Sequence, residues 1–130
     1  MISFTETEGT LTLTVTAQPM GQGLNVSLFG GDDPHIGAVA LAEPRPSLRG
    51  DGGSGASCSV LTRLGHKEDE LARRVALDLA AHMGIVVCVV CGIHIRGADE
   101  ESIRGALVLA DRLVGRLREA AAAGGQSDHV

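Results

Sequence analysis

The chain has 130 residues, of which 44% are hydrophobic, and a formal net charge of −5. This length suits one domain, and the apolar fraction predicts a folded protein with a core. The sequence has 11 basic against 16 acidic residues and no Trp or Tyr, which argues against a nucleic-acid-binding surface. It has no uncharged apolar run of about 18 residues, the length of a membrane span. The first residues, MISFTETEG, lack the basic and apolar regions of a signal peptide, so we expect a cytoplasmic protein.

Alternating apolar and polar residues predict four β-strands in the first third of the chain. The segment FTETEGTLTLTVTAQ is typical of a hairpin that turns at Gly9, with its threonines forming a polar outer face. The alternation continues in GLNVSLFGG. A turn rich in Gly, Asp and Pro follows, and a fourth strand is expected from Gly37 to Ala42.

The second half of the sequence predicts two further strands and two helices. Residues 43–56 are rich in Pro, Gly and Ser and predict a long loop of the kind that is usually functional or mobile. A fifth strand, CSVLTRL, is followed by helical spacing over residues 66–83, which ends before Gly84. The apolar run IVVCVVCGIHI predicts a buried central strand. A last helix is expected from near Ala98, with Asp99 as its N-cap.

This order of elements predicts an α+β fold: a mostly antiparallel sheet of about six strands with two helices on one face. We expect residues 1–120 to form a single domain and residues 121–130 to be a flexible tail. The central strand would carry apolar residues on both faces, and Val108 and Leu109 widen the apolar face of the last helix. A homodimer that buries this excess apolar surface is therefore expected.

The cysteine pattern favours free thiols. Three cysteines are an odd count, and Cys88 and Cys91 form a C-x-x-C motif within the predicted central strand. A redox motif normally opens a helix instead. The offset of three residues in a strand points the two thiols to opposite faces, so we interpret them as structural.

Three histidines lie beside glycines at the ends of predicted elements. His35 precedes a strand, His66 opens a helix and His94 ends a strand. If these ends lie at one edge of the sheet, the three histidines line a single binding cleft, which we call the mouth. Each also has a structural alternative, as a histidine bonded to the backbone or exposed at a helix start.

Two ligand chemistries suit such a mouth. Three histidines with Asp32, Asp33, Glu68 and Asp69 have the chemistry of a divalent-metal site, although their spacing matches no metal signature. A phosphate is the alternative, because helix N-termini attract anions. The acids of the helix start oppose a phosphate, which would need help from one of five cations: Arg45, Arg49, Arg63, Lys67 and Arg96.

Three motifs, GGDDPHIGAVALAEPRPS, GHKEDELA and GIHI, occur in this order and resemble the family of prenylated-flavin chaperones, the LpdD-like proteins. The resemblance covers residues 10–117. It implies a homodimer whose fold is similar to that of eukaryotic proteasome assembly chaperones. It also implies binding of reduced prenylated FMN and its delivery to an apo-decarboxylase of the UbiD family, as in gallate-type decarboxylation.

The expected cofactor-binding residues follow from the motifs together with this resemblance: His35, Gly37, Arg45, His66, Lys67 and His94. No catalytic residue is expected, because the sequence has no nucleophile elbow or phosphate-cradling loop. No metal is expected, with the three histidines as the candidates if one binds. The alternatives are a metal-dependent enzyme that uses these histidines and an assembly chaperone without a ligand.

Overall fold

The computed structural model describes residues 1–46, 50, 54–63 and 68–124. Its elements are β1 (Ile2–Glu8), β2 (Leu11–Met20), β3 (Gly23–Gly31), β4 (Ala38–Pro46), β5 (Ser54–Thr62), α1 (Asp69–Met83), β6 (Val87–His94) and α2 (Glu100–Gly124). The predicted order of five strands, helix, strand and helix is confirmed.

The strands form one mixed sheet in the order β1-β2-β3-β6-β4-β5. The pairing of β3 with β6 is parallel, and the other pairings are antiparallel. Helix α1 packs on β4, β5 and β6, whereas α2 packs on β1 and β2. The predicted α+β fold, with both helices on one face of a mostly antiparallel sheet, is confirmed.

The core lies between this sheet and the helices, because strand residues alternate between the two faces. Its largest fully buried side chains are Leu13, Leu28, Leu79, Leu109, Leu113, Leu117, Val15, Val26, Val87, Val89 and Cys91. Burial of each leucine or valine stabilises the fold by about 1.5–3 kcal/mol relative to its exposure to water. Aliphatic packing thus replaces the aromatic core residues that the sequence lacks.

The helix ends follow the predicted signals. Asp99 caps α2, since its Oδ1 accepts hydrogen bonds from the backbone N–H and the hydroxyl of Ser102 at 2.8 and 2.7 Å. Gly84 ends α1 in the left-handed conformation, with φ of 66°, and its N–H donates to Ala80 O at 2.9 Å. No helix in the described ranges is long and apolar enough to cross a membrane.

The C-terminal tail prediction is wrong for its first four residues, because α2 continues to Gly124. The helix continues because residues 120–123 are alanines, which have the highest helix propensity. Residues 125–130 lie outside the described part of the chain.

The predicted loop over residues 43–56 is wrong at both ends. Residues 43–46 continue β4 and residues 54–56 belong to β5, in an antiparallel register that extends to Pro46 opposite Ser54. Strand β6 pairs with β4 only over residues 38–42. Beyond residue 42, one edge of β4 pairs with no described strand. Proline has no N–H to donate to a neighbouring strand, so Pro44 and Pro46 are tolerated at this edge. The loop itself lies mostly outside the described residues.

The cysteines are free thiols, as predicted. Cys91 is buried on the helix side of β6, while Cys88 is half-buried on the opposite face. Burial, and then the nearby Glu68 carboxylate, raise the pKa of the Cys91 thiol to about 12. Burial also raises the pKa of Cys58. Cys91 therefore stays protonated at neutral pH and has a packing role.

Candidate functional site

The sheet topology brings three chain segments to one edge. Strands β3 and β6 run parallel, so their carboxyl ends meet, and β4 runs antiparallel to β6 and therefore begins at the same edge. The turn between β3 and β4, residues 32–37, crosses this edge. We call it the histidine turn, because it carries His35.

Backbone hydrogen bonds fasten the histidine turn to β6 at both ends. The N–H of Asp32 donates to the carbonyl of His94 at 2.7 Å, and the N–H of Gly37 donates to the carbonyl of Cys91 at 2.9 Å. The turn therefore cannot move independently of β6 without losing backbone hydrogen bonds.

Two glycines allow the close approach of these segments. A Cβ at Gly92 would collide with the carbonyl oxygen of His35, which lies directly over β6. Gly31 has a φ of 79°, and a Cβ there would collide with the carbonyl of His94. Glycine is required at both positions because backbone atoms, which are hard to displace, occupy the space of a side chain.

The His35 imidazole is held between two oxygen acceptors. Its Nδ1 lies 2.9 Å from the carbonyl oxygen of Asp33, and its Nε2 lies 2.7 Å from Oε1 of Glu68. The side chains of His35 and Glu68 are only 19% and 13% exposed, whereas a turn residue is ordinarily more open to water. A Cβ at Gly37 would collide with the Glu68 carboxyl group, so Gly37 makes room for the pair.

Glu68 is a site residue whose partner the sequence does not reveal. Acids at the start of a helix ordinarily favour the helix dipole or cap its N–H groups. Glu68 occupies the N-cap position of α1, yet its side chain makes no capping hydrogen bond and instead contacts His35. The interaction joins two elements that are distant in the sequence, and no local pattern signals it.

His94 lies beside His35 at the end of β6. The two ring centroids are 6.4 Å apart with an interplanar angle of 72°, an edge-to-face arrangement. His94 is exposed. The structure thus brings two of the three predicted histidines together. His66 and Lys67 lie outside the described residues, although Glu68, next in the chain, contacts His35.

Two of the carboxylates considered as metal ligands are bound to Arg96. The guanidinium of Arg96 donates to both carboxyl oxygens of Asp33 at 3.1 and 2.9 Å, and its backbone N–H donates to Asp32 Oδ2 at 2.9 Å. The hydrogen bond to Arg96 is the main cause that lowers the pKa of Asp33. Within the described ranges, no group of three metal-binding side chains is clustered.

The structure separates the candidate cations. Arg63 follows β5, its N–H donates to Gly37 O, and its Nη1 donates to Ile36 O, both at 2.9 Å. Arg45 lies near the opposite end of β4, where its Nε donates to Ser57 Oγ at 3.0 Å. At about 3.3 Å per strand residue, Arg45 lies about 23 Å from the start of β4. The structure therefore does not bring Arg45 to the histidine turn.

The described site consists of a sheltered imidazole–carboxylate pair, an exposed second imidazole and two arginines that contact the same turn, Arg63 and Arg96. The family model described as "prenylated flavin chaperone LpdD-like domain" matches residues 7–122. Among solved structures, a chain in a chaperone complex for yeast 20S proteasome assembly is similar in fold, with a TM-score of 0.58 and 16% sequence identity. The match covers 91% of this chain and 94% of that chain. No curated protein sequence matches significantly.

Proposed function

Because the chain belongs to the prenylated flavin chaperone LpdD-like family, we propose that it binds reduced prenylated FMN and delivers it to an apo-decarboxylase of the UbiD family. The observation that carries the proposal is the His35–Glu68 pair. The histidine turn and the start of α1 bring this pair together at one edge of the sheet, where Gly37 leaves room for it.

The residues at the mouth suit the chemical groups of a flavin mononucleotide. The two imidazole rings offer flat faces, the exposed His94 also offers hydrogen-bonding nitrogens, and Arg63 offers a cation for a phosphate. When bound, the prenylated flavin supplies the chemistry that the partner decarboxylase uses. The contribution of this chain is to hold the cofactor through His35, Gly37 and His94 and to limit its contact with solvent.

We propose a binding role rather than catalysis. The buried Cys91 thiol, with its pKa raised to about 12, is not a nucleophile at neutral pH. The rival proposal is a metal-dependent enzyme that uses the histidines, and metal analysis of the purified protein tests it. Bound metal in stoichiometric amount, together with loss of that metal in a His35→Ala variant, would favour the metal-dependent enzyme.

Anaerobic titration with reduced prenylated FMN tests the binding proposal directly. We expect saturable binding, followed by the change in the flavin absorption spectrum as protein is added. Absence of binding at tens of micromolar protein would contradict the proposal. An assembly chaperone without a ligand would give that result.

Delivery is tested with an apo-decarboxylase of the UbiD family. Addition of the cofactor-loaded protein should restore decarboxylase activity faster than the same concentration of free reduced cofactor. Equal rates would contradict delivery, because the cofactor would then reach the decarboxylase no faster than from free solution.

We also propose a cytoplasmic homodimer. The free thiols are typical of a reducing compartment. The sheet face opposite the helices carries Val39, which is in register with Val90 and with Leu61, and Leu61 is 76% exposed. A second copy that covers these side chains would remove apolar surface from water. Light scattering at micromolar concentration should give twice the 13.4 kDa chain mass, and a monomer mass would contradict the dimer.

A further inference from the structure

We infer that Arg63 binds an anionic group of the ligand, which for a flavin mononucleotide is its phosphate monoester. This inference rests on the proposed function and deepens it by assigning a residue to one ligand group. Of the five cations considered for a phosphate, the structure describes Arg45, Arg63 and Arg96. Among these three, only Arg63 both contacts the histidine turn and pairs with no described carboxylate.

The position of Arg63 is fixed by two hydrogen bonds to the histidine turn. Its backbone N–H donates to the carbonyl of Gly37, and its Nη1 donates to the carbonyl of Ile36, both at 2.9 Å. Gly37 and Ile36 directly follow His35 in the chain. These bonds hold the guanidinium group against the histidine turn, next in the chain to the imidazole of His35.

The remaining donors of Arg63 are directed to no described carboxylate. A guanidinium has five N–H donors, and only Nη1 makes a side-chain hydrogen bond in the described part of the structure. Arg63 is exposed, so the unused donors are open to a ligand. Arginine donors match phosphate oxygens in a bidentate geometry.

Arg96, at the same edge of the sheet, cannot bind a phosphate without losing its hydrogen bonds to its carboxylate partners. Its guanidinium is already bound to both oxygens of Asp33, and its backbone is bound to Asp32. The acids at the start of α1, Asp69 and Glu70, lie close in sequence to Glu68 and repel an anion. A phosphate at this mouth therefore needs the positive charge that Arg63 supplies.

Arg45 gives a matched control, because it lies on the same β4–β5 hairpin. Its acceptors among the described residues are also neutral, namely Ser57 Oγ and the carbonyl of Pro46. It is situated at the other end of the hairpin. A loss of binding that follows from Arg63→Gln but not from Arg45→Gln would thus reflect position rather than net charge.

The experiment compares two probes, reduced prenylated FMN and the reduced prenylated riboflavin that lacks the phosphate. We expect Arg63→Gln to weaken binding of the phosphorylated probe about tenfold, as for loss of a charge-assisted hydrogen bond. Binding of the riboflavin form should not change. Arg63→Lys keeps the charge and should retain part of the affinity, and Arg45→Gln should bind both probes like the unaltered protein.

Three outcomes would overturn the inference. Unchanged affinity of Arg63→Gln for the phosphorylated probe would overturn it and leave the proposed function standing. Equal weakening for both probes would mean that Arg63 supports the turn without binding the phosphate. Failure of the unaltered protein to bind either probe would remove the proposed function itself, and the inference with it.

A second measurement needs no variant and so does not depend on folding of Arg63→Gln. Phenylglyoxal modifies accessible arginines, and mass spectrometry identifies the modified positions. Bound reduced prenylated FMN should protect Arg63 from modification and leave Arg45 unprotected. Equal modification of Arg63 with and without the probe would contradict the inference.

Discussion

Two side-chain pairs, His35–Glu68 and Asp33–Arg96, hold the histidine turn, and they differ in their exposure to water. The side chains of His35 and Glu68 are 19% and 13% exposed, whereas those of Arg96 and Asp33 are 70% and 55% exposed. Both pairs fasten the turn to a neighbouring element, the first to the start of α1 and the second to the end of β6.

The difference in exposure shows that the surrounding structure accommodates the His35–Glu68 pair specifically, whereas the Asp33–Arg96 pair lies at the surface. Sheltering of His35 and Glu68 requires glycine at position 37, because a Cβ there would collide with the carboxyl group. Sheltered polar groups also lose their hydration, so removal of one partner is costly. The exposed pair needs no such accommodation, and water replaces either partner readily. A proposed binding role therefore falls on the sheltered pair.

The largest effect is expected from Gly92→Ala, which removes the support shared by both pairs. The new Cβ would collide with the carbonyl oxygen of His35, so the histidine turn must leave β6. We expect a loss of about 3 kcal/mol in the free energy of unfolding, the upper range for overpacking. Urea denaturation measures it, and cofactor binding should be lost as well.

Gly105→Ala is the matched control, since a Cβ at this α2 position would meet no atom within 4 Å. In a helix interior this change should stabilise the protein by about 0.5–1 kcal/mol. If both glycine variants changed stability equally, the close crossing of the turn over β6 would not be a constraint.

An intermediate effect is expected for the sheltered pair. His35→Ala and Glu68→Ala should each lower the free energy of unfolding by about 2 kcal/mol, since each leaves a sheltered polar partner behind. The double variant should lose less than the sum of the two, and a double-mutant cycle measures this coupling. Additive losses would mean that the 2.7 Å contact does not stabilise the protein.

The same variants separate stability from binding. Reduced prenylated FMN should bind His35→Ala more weakly under conditions where the variant remains folded. Undiminished binding, with the expected loss of stability, would assign His35 a purely structural role.

The elements of the fold could be predicted because their signals are local. Alternation of side chains marks the strands, and Asp99 and Gly84 mark helix ends through short-range hydrogen bonds. The position of β6 between β3 and β4 has no local signal. The extension of β4 past residue 42 was missed because Pro44 and Pro46 are typical of loops, and only the free edge of the strand explains them.

The candidate site could be predicted only in part, for the same reason. Glycine beside a histidine at an element end identified His35 and His94, and the structure places these rings 6.4 Å apart. The Glu68 partner and the separation of Arg45 from Arg63 depend on sheet register and on which face a strand residue occupies. Neither is encoded by the residues adjacent to it.

The smallest effect is expected for the exposed pair. Asp33→Asn removes the charge that faces Arg96, and at neutral pH and low salt we expect a small decrease in melting temperature. High salt should abolish the difference from the unaltered protein, because it screens exposed charges.

The main cause of the lowered pKa of Asp33 is its hydrogen bond to Arg96. A carboxyl whose pKa is lower in the folded state stabilises that state above its ordinary pKa. The contribution is therefore present at neutral pH and declines below about pH 4, as Asp33 takes up its proton. The melting temperatures of the two proteins should converge over that range. A difference that persists in high salt and at low pH would show that Asp33 acts through its backbone contact with His35, which would extend the sheltered pair to a third residue.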